Sequence, residues 1–259
     1  MKILKLAIAF LTALNLNAKS DEKTIVVGVS PVPHAQILEV VKPKLKEQGY
    51  ELVISEITDY SIPNIATNDG DLDANFFQHQ PYLDEQNKNL GLNLVKTLAV
   101  HVEPMGFYSN KIKNINELKD GSVVAIAHDP SNSNRALRIL ENAGLIKIDQ
   151  SVKFASPHDI TQNVKNLKFI EIEGALMPRT LHEVDLAAIS TNFVLDMGLN
   201  PATDALLIEN SNSPYANIIV TKSGNENSPK IKALNNAVRS DEVRNFIINR
   251  YKGAVIPAF

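Results

Sequence analysis

The β-branched run "TIVVGV" (24–29) is followed by "PHAQILEVVKPKLKEQGY", whose apolar residues recur at helical spacing until Gly49 stops them. Alternation returns in "ELVISEI" (51–57) and, after the turn at Asp69-Gly70, in "DLDANFF" (71–77). Strand, helix, strand and helix in succession predict an α/β lobe with a largely parallel sheet. Beyond "LAVHVEPMGFYSNK" the pattern restarts. "NINELKDG" reads as a short helix and turn, "SVVAIA" (122–127) as a strand, and "SNSNRALRILENAG" (131–144) as a helix closed by Gly144. "KFIEI" (168–172), a helix near "MPRTLHEV" and the strand "DLAAIS" (185–190) complete a second α/β lobe.

"GDLDANFF" and "EVDLAAIS" echo one another, each placing a carboxylate just ahead of a strand. "ANIIVTK" reads as another strand, and "SPKIKALNNAVRSDEVRNFIINRYKG" as two helices, with Ser240-Asp241 as break and cap. One lobe is therefore interrupted by the other. The expected division is 1–18 as a leader, 19–103 plus 222–259 as the first lobe and 104–221 as the second, with a ligand cleft between them.

A length of 259 residues favours two lobes over one core. Apolar residues at 44% and charged residues at 21% are ordinary for a soluble protein, and a net charge of -3 shows no bias toward nucleic acid or anionic membrane. Lys2 and Lys5, the apolar run Leu6 to Leu14 and the small Ala18 read as a secretory signal peptide, cut after Ala18. The mature chain is expected to begin near Lys19, outside the cytoplasm. Cysteine is absent, which leaves no thiol nucleophile, no thiolate metal site and no cysteine to carry a lipid anchor.

In "HDPSNSNRALRIL", Ser131, Asn132 and Ser133 are N-cap types, which would put Arg135 in the first turn of a helix. A cation there is unfavourable unless an anion sits against it, either a nearby acid or a bound carboxylate gripped by a guanidinium fork and helix N–H groups. In "GDLDANFFQHQPYLDEQ", Phe76 and Phe77 point to opposite faces of a strand, so one can pack in a core while the other faces a cleft. His79 and Tyr82 follow at the strand's end, where α/β folds bind ligands. The alternative for these rings is core packing. The six histidines show neither H-E-x-x-H nor H-x-H, and no G-x-S-x-G, P-loop or G-x-G-x-x-G occurs, so no metal, cofactor or catalytic chemistry is expected. A hydrolase built on His79 and His101 is the rival from another class.

The segments "PHAQILE", "TDYSIPN", "DGDLDANFFQHQPYLD", "VEPMGFYS", "DPSNSNRAL", "MPRTL" and "SPYANIIV" run in order through the chain. With them the sequence resembles the exported methionine-binding proteins of bacterial ABC importers, the family also called NlpA lipoproteins. The resemblance implies a two-lobed periplasmic solute-binding fold, a monomer that captures methionine or a related amino acid, and delivery to an ABC permease. It implies that Tyr60, Phe77, His79 and Tyr82 enclose an apolar side chain, that Arg135 holds the α-carboxylate, and that Asn217 contacts the head group. Two departures stand out. The family's lipobox cysteine is missing, and its I-N-x-x-Y segment reads "ISTNF", with Ser190 where an asparagine touches the ligand head group. Serine cannot offer both a carbonyl and an amide. A paralogue binding a different apolar amino acid or a small peptide is therefore the alternative.

Overall fold

The structure, a computed structural model, describes residues 22–210 and 213–259. The leader expected over 1–18 lies outside them. The first lobe begins with β1 (Thr24–Val29), α1 (Gln36–Glu47), β2 (Glu51–Glu56), α2 (Ile62–Asp69), β3 (Ala74–His79), α3 (Gln80–Leu90) and β4 (Leu94–Val102). The second holds β5 (Gly106–Tyr108), β6 (Val123–Ala127), α4 (Pro130–Asn142), the ribbon of β7 (Ile146–Ile148) and β8 (Ile160–Asn163), β9 (Lys168–Ile172), α5 (Met177–Thr180), β10 (Leu186–Ile189), α6 (Thr191–Asp196), α7 (Pro201–Asp204) and β11 (Leu207–Ile208). The chain returns through β12 (Ala216–Lys222), α8 (Pro229–Val238), α9 (Asp241–Tyr251) and β13 (Ile256–Pro257).

Each lobe has its own sheet, ordered β13-β4-β12-β3-β1-β2 in the first and β11-β5-β10-β6-β9 in the second. β1, β2 and β3 pair in parallel, as the alternating elements require, whereas β12 joins antiparallel to both β3 and β4. That pairing corrects the expected return at residue 222. "ANIIVTK" is buried along almost its whole length, because it lies between two neighbours, and it belongs to the first sheet from Ala216 onward. The chain leaves the first sheet after β4 and enters the second at β5.

The first core gathers Ile37, Leu38 and Leu45 of α1, Leu234 of α8 and Ile247 of α9 against β1, β3 and β12. The second packs Leu137 and Leu140 of α4 against Val124, Ile126 and Leu186. α1 stops because Gly49 takes φ of 80°, a left-handed conformation that costs glycine little.

The echo between the lobes has a physical basis. Asp73, just before β3, accepts a hydrogen bond from Val26 N of the parallel neighbour β1 at 2.8 Å, and Lys230 lies 3.1 Å from the carboxylate. Asp185, just before β10, accepts from Val123 N of its parallel neighbour β6 at 2.8 Å, with Lys111 at 3.0 Å. In each lobe a carboxylate satisfies an N–H at the start of an adjacent strand.

Candidate functional site

β3 is buried on both faces, so its two phenylalanines have separate surroundings. Phe76 is fully buried, edge-on to His34 at 4.6 Å between ring centres and to His101 at 5.4 Å. Phe77 faces the other way, into a cavity between the lobes. His79 ends the strand and caps α3, its Nδ1 accepting from Tyr82 N at 3.2 Å. That cap fixes the tautomer: Nε2 carries the proton and donates to Asn132 Oδ1 of the second lobe at 3.0 Å. It also places Tyr82 in the first turn of α3, facing the same cavity.

Tyr60, just before α2, completes the ring wall. Its centroid lies 5.5 Å from Phe77, 6.1 Å from Tyr82 and, across the cleft, 5.3 Å from a stacked Phe193. Its hydroxyl donates to Asn192 Oδ1 of the second lobe at 2.8 Å. The lobes thus meet through Tyr60–Asn192 and His79–Asn132, which flank a pocket lined by residues of both.

Tyr60, Phe77, His79, Tyr82, Arg135, Ser190 and Asn217 all line this one cavity. Two details of Arg135 differ from the sequence reading. Asp129 is the N-cap of α4, accepting from Asn132 N at 2.8 Å, so the helix starts earlier and Arg135 falls in its second turn. The first-turn N–H groups are therefore engaged in part by Asp129 rather than held open for a ligand. The anion that the helix-start argument called for is present within the chain: Glu209 lies against the guanidinium, 3.0 Å from Nε and 2.5 Å from Nη2. Nη2 also donates to the Glu103 carbonyl at 2.6 Å, and Tyr215 stacks on the guanidinium at 4.5 Å. Nη1 makes no hydrogen bond among the described residues.

Ser190 is the N-cap of α6 without a side-chain cap, and its hydroxyl has no partner among the described residues. Asn217, at the start of β12, accepts from His34 Nε2 at 3.0 Å. The sequence reading missed Gln78, Glu103, Asn132, Thr191 and Asn192, which line the same cavity. Glu103 had a visible signal only as an acid directly after the apolar run "LAVHV" and before Pro104. Asn192 was visible as the neighbour of the substituted Ser190.

Glu103 is 4% exposed, and both His101 Nε2, at 2.6 Å, and His34 Nε2, at 3.3 Å, approach its Oε1. These are the donors expected of neutral imidazoles. His34 Nε2 faces only oxygens, those of Glu103 and Asn217, and so must carry the proton. Among the described residues, His34, His101 and Glu103 are the only group of histidine and acid donor atoms that converges, within 4.8 Å. Their hydrogen bonds account for that convergence, and Nδ1 of both rings is buried without a partner. A metal on Nε2 would demand N–H donors at those two Nδ1 positions, with no acceptor for either. His79 and His101, paired in the hydrolase alternative, point to different partners.

Burial lowers the pKa of His34 to about 4 against the pull of Glu103, that of His101 to about 3, and, with help from Arg135, that of His79 to about 3. The same burial raises Glu103 above the usual carboxylate range, opposed by His34 and Arg135. The C2–H resonances of these three histidines are therefore expected to hold still in proton NMR from pH 8 to about pH 5, with protonation confined to lower pH. Their contribution to stability is complete above about 6.5 and shrinks as the pH falls toward 4 and 3, because unfolded imidazoles take up protons that the folded ones refuse. Titration of any of the three near 6.5 would contradict the burial described here.

A cavity between two α/β lobes, walled by rings and carrying one guanidinium and one carboxylate, defines a two-lobed solute-binding protein. The chain belongs to the NlpA lipoprotein family, whose model matches residues 25–259. It is 41% identical to the methionine-binding lipoprotein MetQ of Bacillus subtilis (strain 168), over 94% of this chain and 91% of that protein. It is 40% identical to the D-methionine-binding lipoprotein MetQ of Escherichia coli (strain K12), over 87% and 84%. A nutrient-binding protein from Burkholderia cenocepacia, solved bound to methionine, superposes with a TM-score of 0.88 at 40% identity, covering 91% of this chain and 100% of that one.

Proposed function

We propose that the protein captures methionine or a closely related amino acid in the periplasm and hands it to an ABC permease, without catalysing a reaction. The observation that carries this reading is the cavity itself, in which a wall of Tyr60, Phe77 and Tyr82 stands opposite Arg135, Ser190 and Asn217. Rings suit a thioether, at about 0.3–1.5 kcal/mol per sulfur contact. The unengaged Nη1 of Arg135 is the donor for the α-carboxylate, with Glu209 holding the other edge of the guanidinium in place. His79, locked neutral by Tyr82 N and Asn132, shapes the wall rather than moving protons.

Among the described residues that line the cavity, none pairs a nucleophile with a base. Thr191 Oγ1 donates to the Pro104 carbonyl at 2.6 Å, and His79 is engaged at both nitrogens. None of the described helices is long and apolar enough to cross a membrane. The family and its relatives are named lipoproteins, whereas this sequence holds no cysteine to acylate, so the form proposed is a soluble, monomeric one.

Ser190 favours a second reading, a binding protein turned to another apolar amino acid or a small peptide, because its hydroxyl replaces an amide and is unpartnered. Calorimetry separates the two on protein unfolded and refolded to strip carried-over ligand. Methionine is expected to bind at micromolar affinity or tighter, with one site per chain. A folded protein that ignores methionine but binds leucine or a methionyl peptide would establish the second reading.

A further inference from the structure

We infer that Glu103, held by His34 and His101, is a built ammonium site, so that the cavity accepts only ligands carrying a free protonated amine next to the carboxylate. The inference rests on the amino-acid reading above and adds to it the group that selects for the amine.

Both imidazoles address the same oxygen of Glu103, Oε1, at 2.6 and 3.3 Å. Oε2 accepts no side-chain hydrogen bond among the described residues, and Glu103 lines the ligand cavity. Two buried imidazole donors and the Asn192 backbone N–H order this carboxylate, and its remaining lone pairs can meet a cation without further loss of side-chain freedom on binding. The imidazoles are themselves fixed: Asn217 accepts from His34, and Phe76 packs edge-on against both rings.

Charge balance supports the same assignment. Glu209 already neutralises Arg135 at 2.5 Å, so the guanidinium does not need Glu103 as its counter-ion. Arg135 contacts the carbonyl of Glu103 and not its carboxylate. That leaves Glu103 as a buried carboxylate facing only neutral donors, and burying a charge in this way is costly unless a cation joins it. The groups that face it are His34 from the turn before α1, His101 from β4, Arg135 from α4, the backbone N–H of Asn192 from α6, and the hydroxyls of Tyr60 and Tyr251. Of these only Arg135 is charged at neutral pH, and it is committed to Glu209. An α-ammonium placed beside Oε2 supplies the missing charge, while the ligand carboxylate meets Arg135 Nη1.

Glu103 immediately precedes Pro104 at the outward crossing, and Asn217 begins the strand that returns. An ammonium held there ties the ligand to both strands at the hinge, which a carboxylate contact to Arg135 alone does not do.

The test compares L-methionine with 4-methylsulfanylbutanoate, which has the same side chain and carboxylate but no amine, by calorimetry on the ligand-stripped full chain. Wild-type protein is expected to bind the amine-free acid about 100-fold more weakly or worse, the scale of losing one partner of a buried charge pair. Glu103→Gln should weaken methionine by a similar factor and bring the two ligands to within about tenfold of each other. If the Gln variant does not fold, titration of wild-type protein across the pH range of about 4 to 7 in buffers of different ionisation heat replaces it. Methionine should release protons as Glu103 ionises, and the amine-free acid should not. Equal affinity of wild type for both ligands, an undiminished preference in Glu103→Gln, or no difference in proton release would overturn the assignment while leaving the amino-acid site in place. Failure of the folded wild-type protein to bind methionine, with the amine-free acid binding as well as any amino acid tried, would overturn the amino-acid reading and this assignment together.

Discussion

Replacing Arg135 with alanine is expected to weaken methionine binding by about 3–5 kcal/mol, the scale on which a buried charge loses its partner. Two anions depend on this guanidinium. Glu209, with a side chain 11% exposed, holds one edge, and the ligand carboxylate is assigned to Nη1. The substitution therefore also lowers the stability of the unliganded protein, because Glu209 and the Glu103 carbonyl lose their donors together. Arg135→Lys separates the two effects. A lysine keeps a charge near Glu209 but cannot serve a second anion from a rigid fork, so stability should recover further than affinity does. Calorimetry and denaturant melts on both variants supply the numbers. An Arg135→Ala protein that is less stable yet binds methionine as tightly as wild type would reduce Arg135 to a structural residue and withdraw the carboxylate assignment.

The second large effect separates two adjacent phenylalanines. Phe76→Ala should cost about 3–5 kcal/mol of stability, as expected for emptying a fully packed aromatic position. Phe76 is completely buried and packs edge-on against His34 and His101. Phe77→Ala enlarges a cavity that exists already, so its stability cost should be smaller while affinity falls at least about tenfold through lost side-chain contact. Denaturation midpoints and binding isotherms should rank the two variants in opposite order. The same ranking in both assays would mean that Phe77 belongs to the core, the alternative that its composition left open.

The opposed roles of these rings were legible because strand alternation is a local rule: two consecutive residues on one strand cannot face the same side. The lobes and most helices were legible for similar reasons, since helical spacing around Ile37, Leu38, Val41 and Leu45 is a property of a few turns. What escaped depended on pairing at long range. β4 was not assigned, because "LVKTLAVHV" contains His101 and Lys96 and makes sense as a strand only beside β12, more than a hundred residues away in sequence. The return boundary was misplaced for the same reason, as nothing local in "ANIIVTK" says which sheet it joins. The start of α4 was misread by choosing among three consecutive capping residues, Ser131 to Ser133, whereas Asp129 beyond Pro130 caps the helix. Glu209 could not be matched to Arg135 at all. Ion pairs carry no periodicity, and this one forms between a helix and a distant loop.

The placement of β12 also sets an order of events as the chain emerges. All the strands of the second sheet, β5, β6, β9, β10 and β11, come from one uninterrupted stretch, residues 106–208, so that sheet can close as soon as this stretch is available. The first sheet cannot close then. Its β3 and β4 do not pair with each other but with β12, and the edge strand β13 comes later still. A chain halted before Ala216 therefore carries a finished second lobe and, beside it, two β-strands whose facing edges are unsatisfied. Such edges are the open templates that invite pairing with other chains. Exposure to aggregation or to a holding chaperone thus falls mainly on the lobe that is synthesised first.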